Sequence, residues 1–437
     1  MVKYCVVIGA FLASMPAGAL IFRDGGSPAA NTETAPTGQF ANSGWQHAVR
    51  LGSFQGTIIS PKHFITATHL GTAETMVTQN AFINGVEDRV YHIRSYHQIG
   101  STDLRVVEIW ETFDDYAELY AESDEATQEM TIFGNGFGEG VEFPGQGWRW
   151  GGEETRLLRW GRNVIDGFID TSTPTDPGLG ELLFFTFDDL QNQDEVMATG
   201  GDSGGGWFIR DGNEWKLAAV SFGVDGGYSL QEDSATFRAS FYNAVGIYIT
   251  LGQQTFMIPS GPGSLNSQQT SFYQNSHTYG SRISSNLTEI GAIINDALAD
   301  EQLTNTERYE SWLIDHGVSA LDGVDVDSDV DGLTNLEEYL SDSDPGDGSE
   351  GRSPIVVSYE DDGSHVVTLE ESLDLAGRGL SSSVQVSSDL VTWSEVTDFT
   401  EVTNTVDLAE GLRLRVLSRL PSTTGDNYYR LKIEINE

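Results

Sequence analysis

From about Gln39 to Leu298 the chain alternates short apolar runs with Gly, Asn, Asp and Pro. Gly56–Ile59, Val106–Trp110, Met130–Phe133 and Leu182–Phe187 are such runs. They are too short for helices, are rich in β-branched and aromatic residues, and recur with turn signals between them. That pattern predicts an all-β barrel or sandwich. The zone closes on Ile283–Leu298, where Leu287, Ile290, Ile293, Ile294 and Leu298 recur at helical spacing behind a candidate N-cap, Ser284 or Ser285. A second zone, Ala299–Glu350, starts with a helix marked by Tyr309, Trp312 and Leu313 and continues into an Asp-rich run. A third, Arg352–Glu437, returns to strands: Tyr429, Leu431, Ile433 and Ile435 alternate with polar neighbours, as do Val384/Val386 and Leu412/Leu414/Val416. No repeat suggests a solenoid or propeller.

Composition sharpens this outline. The chain has 437 residues, and 38% hydrophobic content supplies real cores, so wholesale disorder is excluded and two or three units are expected. Its 66 acidic residues against 23 basic ones give a net charge of −43, which disfavours nucleic acid and anionic membranes as partners. Ala299–Glu350 alone holds 16 acids and one base, Arg308. Met1–Ala19 reads as a secretory signal: Lys3, an apolar run from Tyr4 to Ala13, then Ala17-Gly18-Ala19 as a small-x-small cleavage site. The only cysteine, Cys5, falls inside it, so no intramolecular disulfide is expected. No later stretch reaches the ~20 apolar residues of a spanning helix. The expected product is secreted, monomeric and divided into 20–298, 299–350 and 352–437.

The densest chemical signal is Gly200-Gly201-Asp202-Ser203-Gly204-Gly205-Gly206. A serine hydroxyl needs a base to take its proton and donors to hold the oxyanion it creates, and flanking glycines let backbone N–H groups turn toward that oxygen. Upstream, Thr66-Ala67-Thr68-His69 ends an apolar strand with an imidazole, the group suited to general-base work, whereas His63 sits beside a Pro turn and reads as solvated. Asp103 precedes the strand Leu104–Ile109 and could fix the histidine tautomer, with Asp114 and Asp115 as competitors.

Taken together, Thr66-Ala67-Thr68-His69, Asp103-Leu104 and Gly201-Asp202-Ser203-Gly204-Gly205 occur in the order His, Asp, Ser, at spacings of 34 and 100 residues. This resembles the chymotrypsin/trypsin-like serine endopeptidases of disulfide-free bacterial type. Ile132–Gly138 and Ala219–Gly223 resemble two further family segments. The resemblance implies an all-β-dominated, two-barrel domain with a C-terminal helix and a polypeptide substrate. Ser203 would be the nucleophile, His69 the proton shuttle and Asp103 its orienting acid. The Gly201 and Ser203 N–H groups would form the oxyanion hole, and Ser221-Phe222-Gly223 would pair with an extended peptide. The pocket-floor position falls on Met197, which argues against basic residues and for an apolar or small side chain before the cleaved bond. Activation in the family seats a freed amine beside the acid preceding the nucleophile, here Asp202, but no I-V-G-G segment stands near residues 20–45.

Asp327-Ser328-Asp329-Val330-Asp331-Gly332-Leu333-Thr334-Asn335-Leu336-Glu337-Glu338 meets the EF-hand template. Asp327, Asp329, Asp331, Asn335 and Glu338 supply oxygens, with the carbonyl of Leu333 at the seventh position. The run resembles dockerin and thrombospondin-type calcium segments, which implies a structural Ca²⁺ in a short helical hinge. The strands beyond it resemble small β-sandwich-like modules closing secreted proteins, a place for glycan or cell-surface binding. Two rival readings of the whole are a catalytically silent protease-like adhesion module and an esterase; the latter lacks the strand–turn–helix setting of a nucleophile elbow.

Overall fold

Strand β4 (His63–Ala67) is buried along its whole length because it serves two cores. The computed structural model describes residues 20–23, 31, 33–79, 88–173, 176–188, 194–232, 234–251, 254–258, 274–301, 303–349, 353–375, 377–407, 412–419 and 428–436. Residues 1–19, which read as a secretory signal in the sequence and hold Cys5, lie outside the described residues. Phe64 points into a closed six-stranded barrel with Val49, Ile58 and Val107. Ile65 faces outward, packing with Leu104 and Val106 against Phe208 and Val220 of the next sheet. Burying each of these side chains is worth roughly 1.5–3 kcal/mol.

In chain order, β1 (Ile21–Phe22) precedes the barrel strands β2 (Ala48–Leu51), β3 (Phe54–Ser60), β4, β5 (Met76–Gln79), β6 (Arg89–Gln98) and β7 (Leu104–Ile109). They close in the order β2-β3-β4-β7-β6-β5. The next unit consists of β8 (Glu129–Gly134), β9 (Arg159–Val164), β10 (Gly167–Asp170), β11 (Glu181–Thr186), β12 (Val196–Met197), β13 (Gly206–Asp211), β14 (Glu214–Val224) and β15 (His277–Arg282). All but β12 lie in one eight-stranded sheet, in the order β9-β8-β13-β14-β15-β11-β10, with Glu118–Leu119 added beside β14. Where the sequence suggests two barrels, the described residues of this region form one closed barrel, the eight-stranded sheet and two three-stranded sheets, 139–143/147–150/239–241 and 228–229/248–251/254–257.

Helix α1 (Leu287–Glu301) starts through a 3-10 turn, Ser284–Asn286, and neither serine caps it through its side chain. Ile290 joins the core between barrel and sheet, and Glu289 accepts the Gly100 N–H at 2.8 Å; the Leu298 side chain lies outside the described residues. Helices α2 (Asn305–Asp315) and α3 (Asn335–Ser341) each open with a reciprocal capping box, Thr304/Glu307 and Thr334/Glu337. Tyr309 and Leu313 of α2 pack on Tyr339 and Leu340 of α3 and on Leu380. The last segment is two antiparallel sheets. One has four strands, in the order 355–359, 365–372, 412–419, 400–407; the other has three, 394–395, 380–387, 428–435. Val367, Leu369, Val384 and Leu417 form their shared core. Tyr429, Leu431, Ile433 and Ile435 pack inward as the alternation predicts. Lys62, in the β3–β4 turn, ties this segment to the barrel through Asp374 at 3.0 Å. Among the described residues, no helix is long and apolar enough to cross a membrane.

Candidate active site

Three chain segments deliver polar side chains to one end of the barrel, facing the sheet. β4 leads into the 3-10 turn Thr68–Leu70, which carries His69. Asp103 stands immediately before β7, and Ser203 lies on the loop between β12 and β13. The Asp103 carboxylate, 6% exposed, accepts the His69 backbone N–H at 2.9 Å through Oδ1 and faces Nδ1 at 2.7 Å through Oδ2. An ionised carboxylate can only accept, so Nδ1 carries the proton and Nε2 is left as an acceptor. Ser203 Oγ lies 2.8 Å from Nε2 and therefore donates to it. The Phe222 ring stands edge-on to the imidazole at 6.1 Å.

The competing residues are engaged elsewhere. Asp114 pairs with Arg89, and Asp115 meets His47 at 3.2 Å. His63 is buried, contrary to the solvated placement its Pro-turn neighbour suggests. It shares a 2.8 Å bond with Ser60, and burial lowers its pKa to about 4.

Glycine is required twice in the loop that carries Ser203. Gly201 has φ +94° and Gly204 φ +83°, and a Cβ on Gly204 would stand 2.0 Å from the Gln55 carbonyl oxygen. Close approach of this loop to the barrel brings Ser203 within reach of His69. Among the described residues, neither the Gly201 N–H nor the Ser203 N–H has a protein acceptor. The loop is held by Asp202, which is 1% exposed and accepts from Gly136 N at 2.5 Å, Thr199 N at 2.7 Å and Thr199 Oγ1 at 3.1 Å. These bonds answer how Asp202 is satisfied within the chain as described. Leu20 is its neighbour: a Cβ on Gly134 would lie 2.2 Å from Asp202 Oδ1 and 2.8 Å from Leu20 Cδ2.

Burial pushes the Asp202 carboxyl up from 3.8 to about 6, against the pull of the donors and of Arg156. A raised folded-state value means proton uptake on folding. Its stabilising contribution is complete below about pH 4 and lost as pH rises through about 6. The melting-temperature difference between Asp202→Asn and wild type should therefore shift in favour of the variant between those values. Parallel curves across pH 4–7 would refute the assignment.

Met197 is 1% exposed, fixed by pairing of β12 with β1 (Ile21 opposite Met197). Thr278 of β15 closes on it, its Oγ1 donating to Met197 Sδ at 3.1 Å while accepting from Ala198 N at 3.2 Å. In β14, pairing with β13 ends at Val220, and β15 covers only the other side from Ala219 to Val224. Ser221 N and O are already bonded, to Gly205 and Gly204. Beyond Val220 no described strand pairs with β14 on its β13 side, Gly223 pairs with Tyr279 on the other, and Phe222 stands at a bulge.

In the hinge, Asp327, Asp329 and Asp331 bring carboxylate oxygens within 4.8 Å of one another. Among the described residues, Asp329 Oδ2, Asp331 Oδ2 and both oxygens of the fully buried Glu338 have no hydrogen-bond partner. Burial, then the charges of Asp329, Asp331 and Asp327, raise Glu338 to about 8. Asn335 is also buried, its Oδ1 accepting from Ser328 N at 3.3 Å, and Leu333 is buried with its N–H donating to Asp331 Oδ1 at 2.8 Å. Asp327 accepts from the Val330 and Gly332 N–H groups, so the hard oxygens left without donors, and suited to a divalent cation, are those of Asp329, Asp331 and Glu338.

Trp393, the aromatic a glycan site would use, is covered by Arg430, whose Cζ lies 4.4 Å from the ring centroid. Sequence reasoning missed Leu20, Thr278 and Arg156. Each acts through a partner more than a hundred residues distant or in a polar stretch with no local signature. The chain matches no protein-family model and no curated protein.

Proposed function

We propose that the protein is a secreted serine endopeptidase of chymotrypsin/trypsin-like type, its open sheet standing for the family's second barrel. The observation that carries this is the continuous relay Asp103–His69–Ser203, at 2.7 and 2.8 Å, beside two N–H groups without acceptors. Ser203 Oγ attacks the scissile carbonyl as its proton passes to His69 Nε2. Asp103 stabilises the imidazolium, and the new oxyanion accepts from Gly201 and Ser203 N–H. The proton then goes to the leaving amine, and water repeats the sequence on the acyl-enzyme. The unpaired side of β14 favours an extended peptide over a simple ester. Labelling of purified protein by a fluorophosphonate, together with cleavage of a denatured protein that the label abolishes, tests the reading; absence of both rejects it.

Specificity follows from the closed floor. With Met197 and Thr278 bonded to each other, the pocket suits Ala, Gly, Ser or Thr before the cleaved bond. Peptide anilides with Ala at that position should be cleaved about 10-fold or more faster (kcat/KM) than those with Phe. Thr278→Gly should narrow that ratio. A preference for Phe or Lys in the wild type would defeat the assignment.

Removal of 1–19 at the Ala19 site would make Leu20, whose side chain lies against Gly134 next to Asp202, the first residue. Asp327, Asp329, Asp331, Asn335, Glu338 and the Leu333 carbonyl would hold calcium, which supplies charge neutralisation and rigidity to the hinge rather than chemistry. The C-terminal sheets are assigned a surface- or glycan-binding role through faces other than Trp393.

A further inference from the structure

Arg156 follows the 3-10 turn Glu153–Thr155 and belongs to none of the segments that carry the relay. Its guanidinium crosses the cleft between the two β units. Nη2 donates to the Ser53 carbonyl on the barrel side, and Nε donates to the Asn135 carbonyl on the sheet side at 2.9 Å. The rings of Phe54 and Phe137 flank it, 5.9 and 5.7 Å from Cζ. Nη2 and Cζ lie 3.0 and 3.2 Å from the place a Cβ on Gly201 would take. The left-handed glycine of the nucleophile loop therefore rests directly on a cation. Among the described residues Arg156 makes one ion pair, with Glu153 at 3.5 Å, 77% exposed against 14% for the arginine, so solvent screens that pair.

We infer that Arg156 is a positioning residue of the oxyanion hole: it fixes the Gly201 peptide and sets a positive charge behind the developing oxyanion. The inference rests on the acyl-transfer reading above. As the Ser203 Oγ–carbon bond forms, the carbonyl π pair moves onto oxygen and the serine proton onto His69. Negative charge then exists on that oxygen where none existed in the bound substrate. A fixed cation beyond Gly201 stabilises that state more than the neutral carbonyl, so it acts on kcat and leaves KM nearly untouched. Arg156 is also the least of the four influences that lower the pKa of buried Asp202.

The test compares wild type, Arg156→Gln and Arg156→Lys as full chains. It measures kcat and KM on an alanyl peptide anilide. It also measures affinity for a peptidyl trifluoromethyl ketone, which adds Ser203 and carries the oxyanion, and for the matching product peptide, which does not. Arg156→Gln is expected to lose about 10–100-fold in kcat with KM within about threefold. Ketone affinity should weaken by the same factor and product affinity should hold, with Arg156→Lys recovering part of the loss. The inference is overturned if kcat stays within twofold, or if both ligands weaken together in step with melting temperature, the mark of a purely structural clamp. If Arg156→Gln does not fold, the ketone-to-product ratio for Arg156→Lys decides in the same way. A wild type that fluorophosphonate leaves unlabelled overturns the proposed function and this inference with it. A labelled wild type with unchanged variants overturns only this one.

Discussion

Replacement of Ser203 by alanine is expected to lower kcat by about 10⁶-fold while leaving the fold intact. The two halves of that expectation have separate causes. Ser203 Oγ makes its hydrogen bond to His69 Nε2, and the imidazole is 39% exposed, so water can replace the lost hydroxyl and the melting temperature should move by no more than about 1 °C. Turnover has no such substitute, because no other nucleophile stands within reach of Nε2 among the described residues. Asp103→Asn should cost about 10⁴-fold, since an amide in place of Oδ2 no longer enforces the proton on Nδ1. The double variant should be no slower than Ser203→Ala alone, as groups acting on one proton are not additive. Measurable cleavage by Ser203→Ala that fluorophosphonate cannot suppress would remove Ser203 from the mechanism.

Calcium should stabilise the hinge, and Glu338 should be the residue on which that depends. At 10 mM, a site with an affinity of ~10⁻⁴–10⁻³ M adds about 1.4–2.7 kcal/mol, or about 3–10 °C in the melting of this segment. Glu338→Gln keeps the shape of the side chain and removes the charge. Without calcium the variant should melt above wild type, because a buried carboxylate facing Asp327, Asp329 and Asp331 is a net burden. With calcium the order should reverse. Scanning calorimetry with calcium and with chelator reads both signs. A wild type indifferent to calcium, or a variant stabilised equally, would dispose of the site.

His69, Asp103, Ser203 and the Asp-rich loop were legible in the sequence because their chemistry is encoded locally. Glycines flank Ser203, small residues precede His69, and oxygen-bearing residues repeat at alternate positions. The strands were legible for the same reason, as in the alternation of Tyr429 to Ile435. What escaped was non-local. His63 reads as solvated from its neighbours, yet the register of β4 against β7, with His63 opposite Glu108, turns it inward. Arg156 stands beside Glu153 and Glu154 and reads as a surface charge until the fold brings Ser53, Asn135 and Gly201 around it. Thr278 meets Met197 only because β15 returns to β14 after a long excursion that begins at Asp225. Nothing in a linear pattern announces that return.

That long return also sets an order of assembly. Asp103 waits 100 residues for Ser203, Met197 pairs with Ile21 from the start of the described chain, and Ser221 finds its strand partner only at Gly280. Closing such distances costs chain entropy before any contact repays it, so contacts of this kind form late. A chain emerging N-terminus first carries His69 and Asp103 as inert residues until the polypeptide past Gly280 is available. The topology thus brings His69, Asp103 and Ser203 together only as the strands that carry them pair.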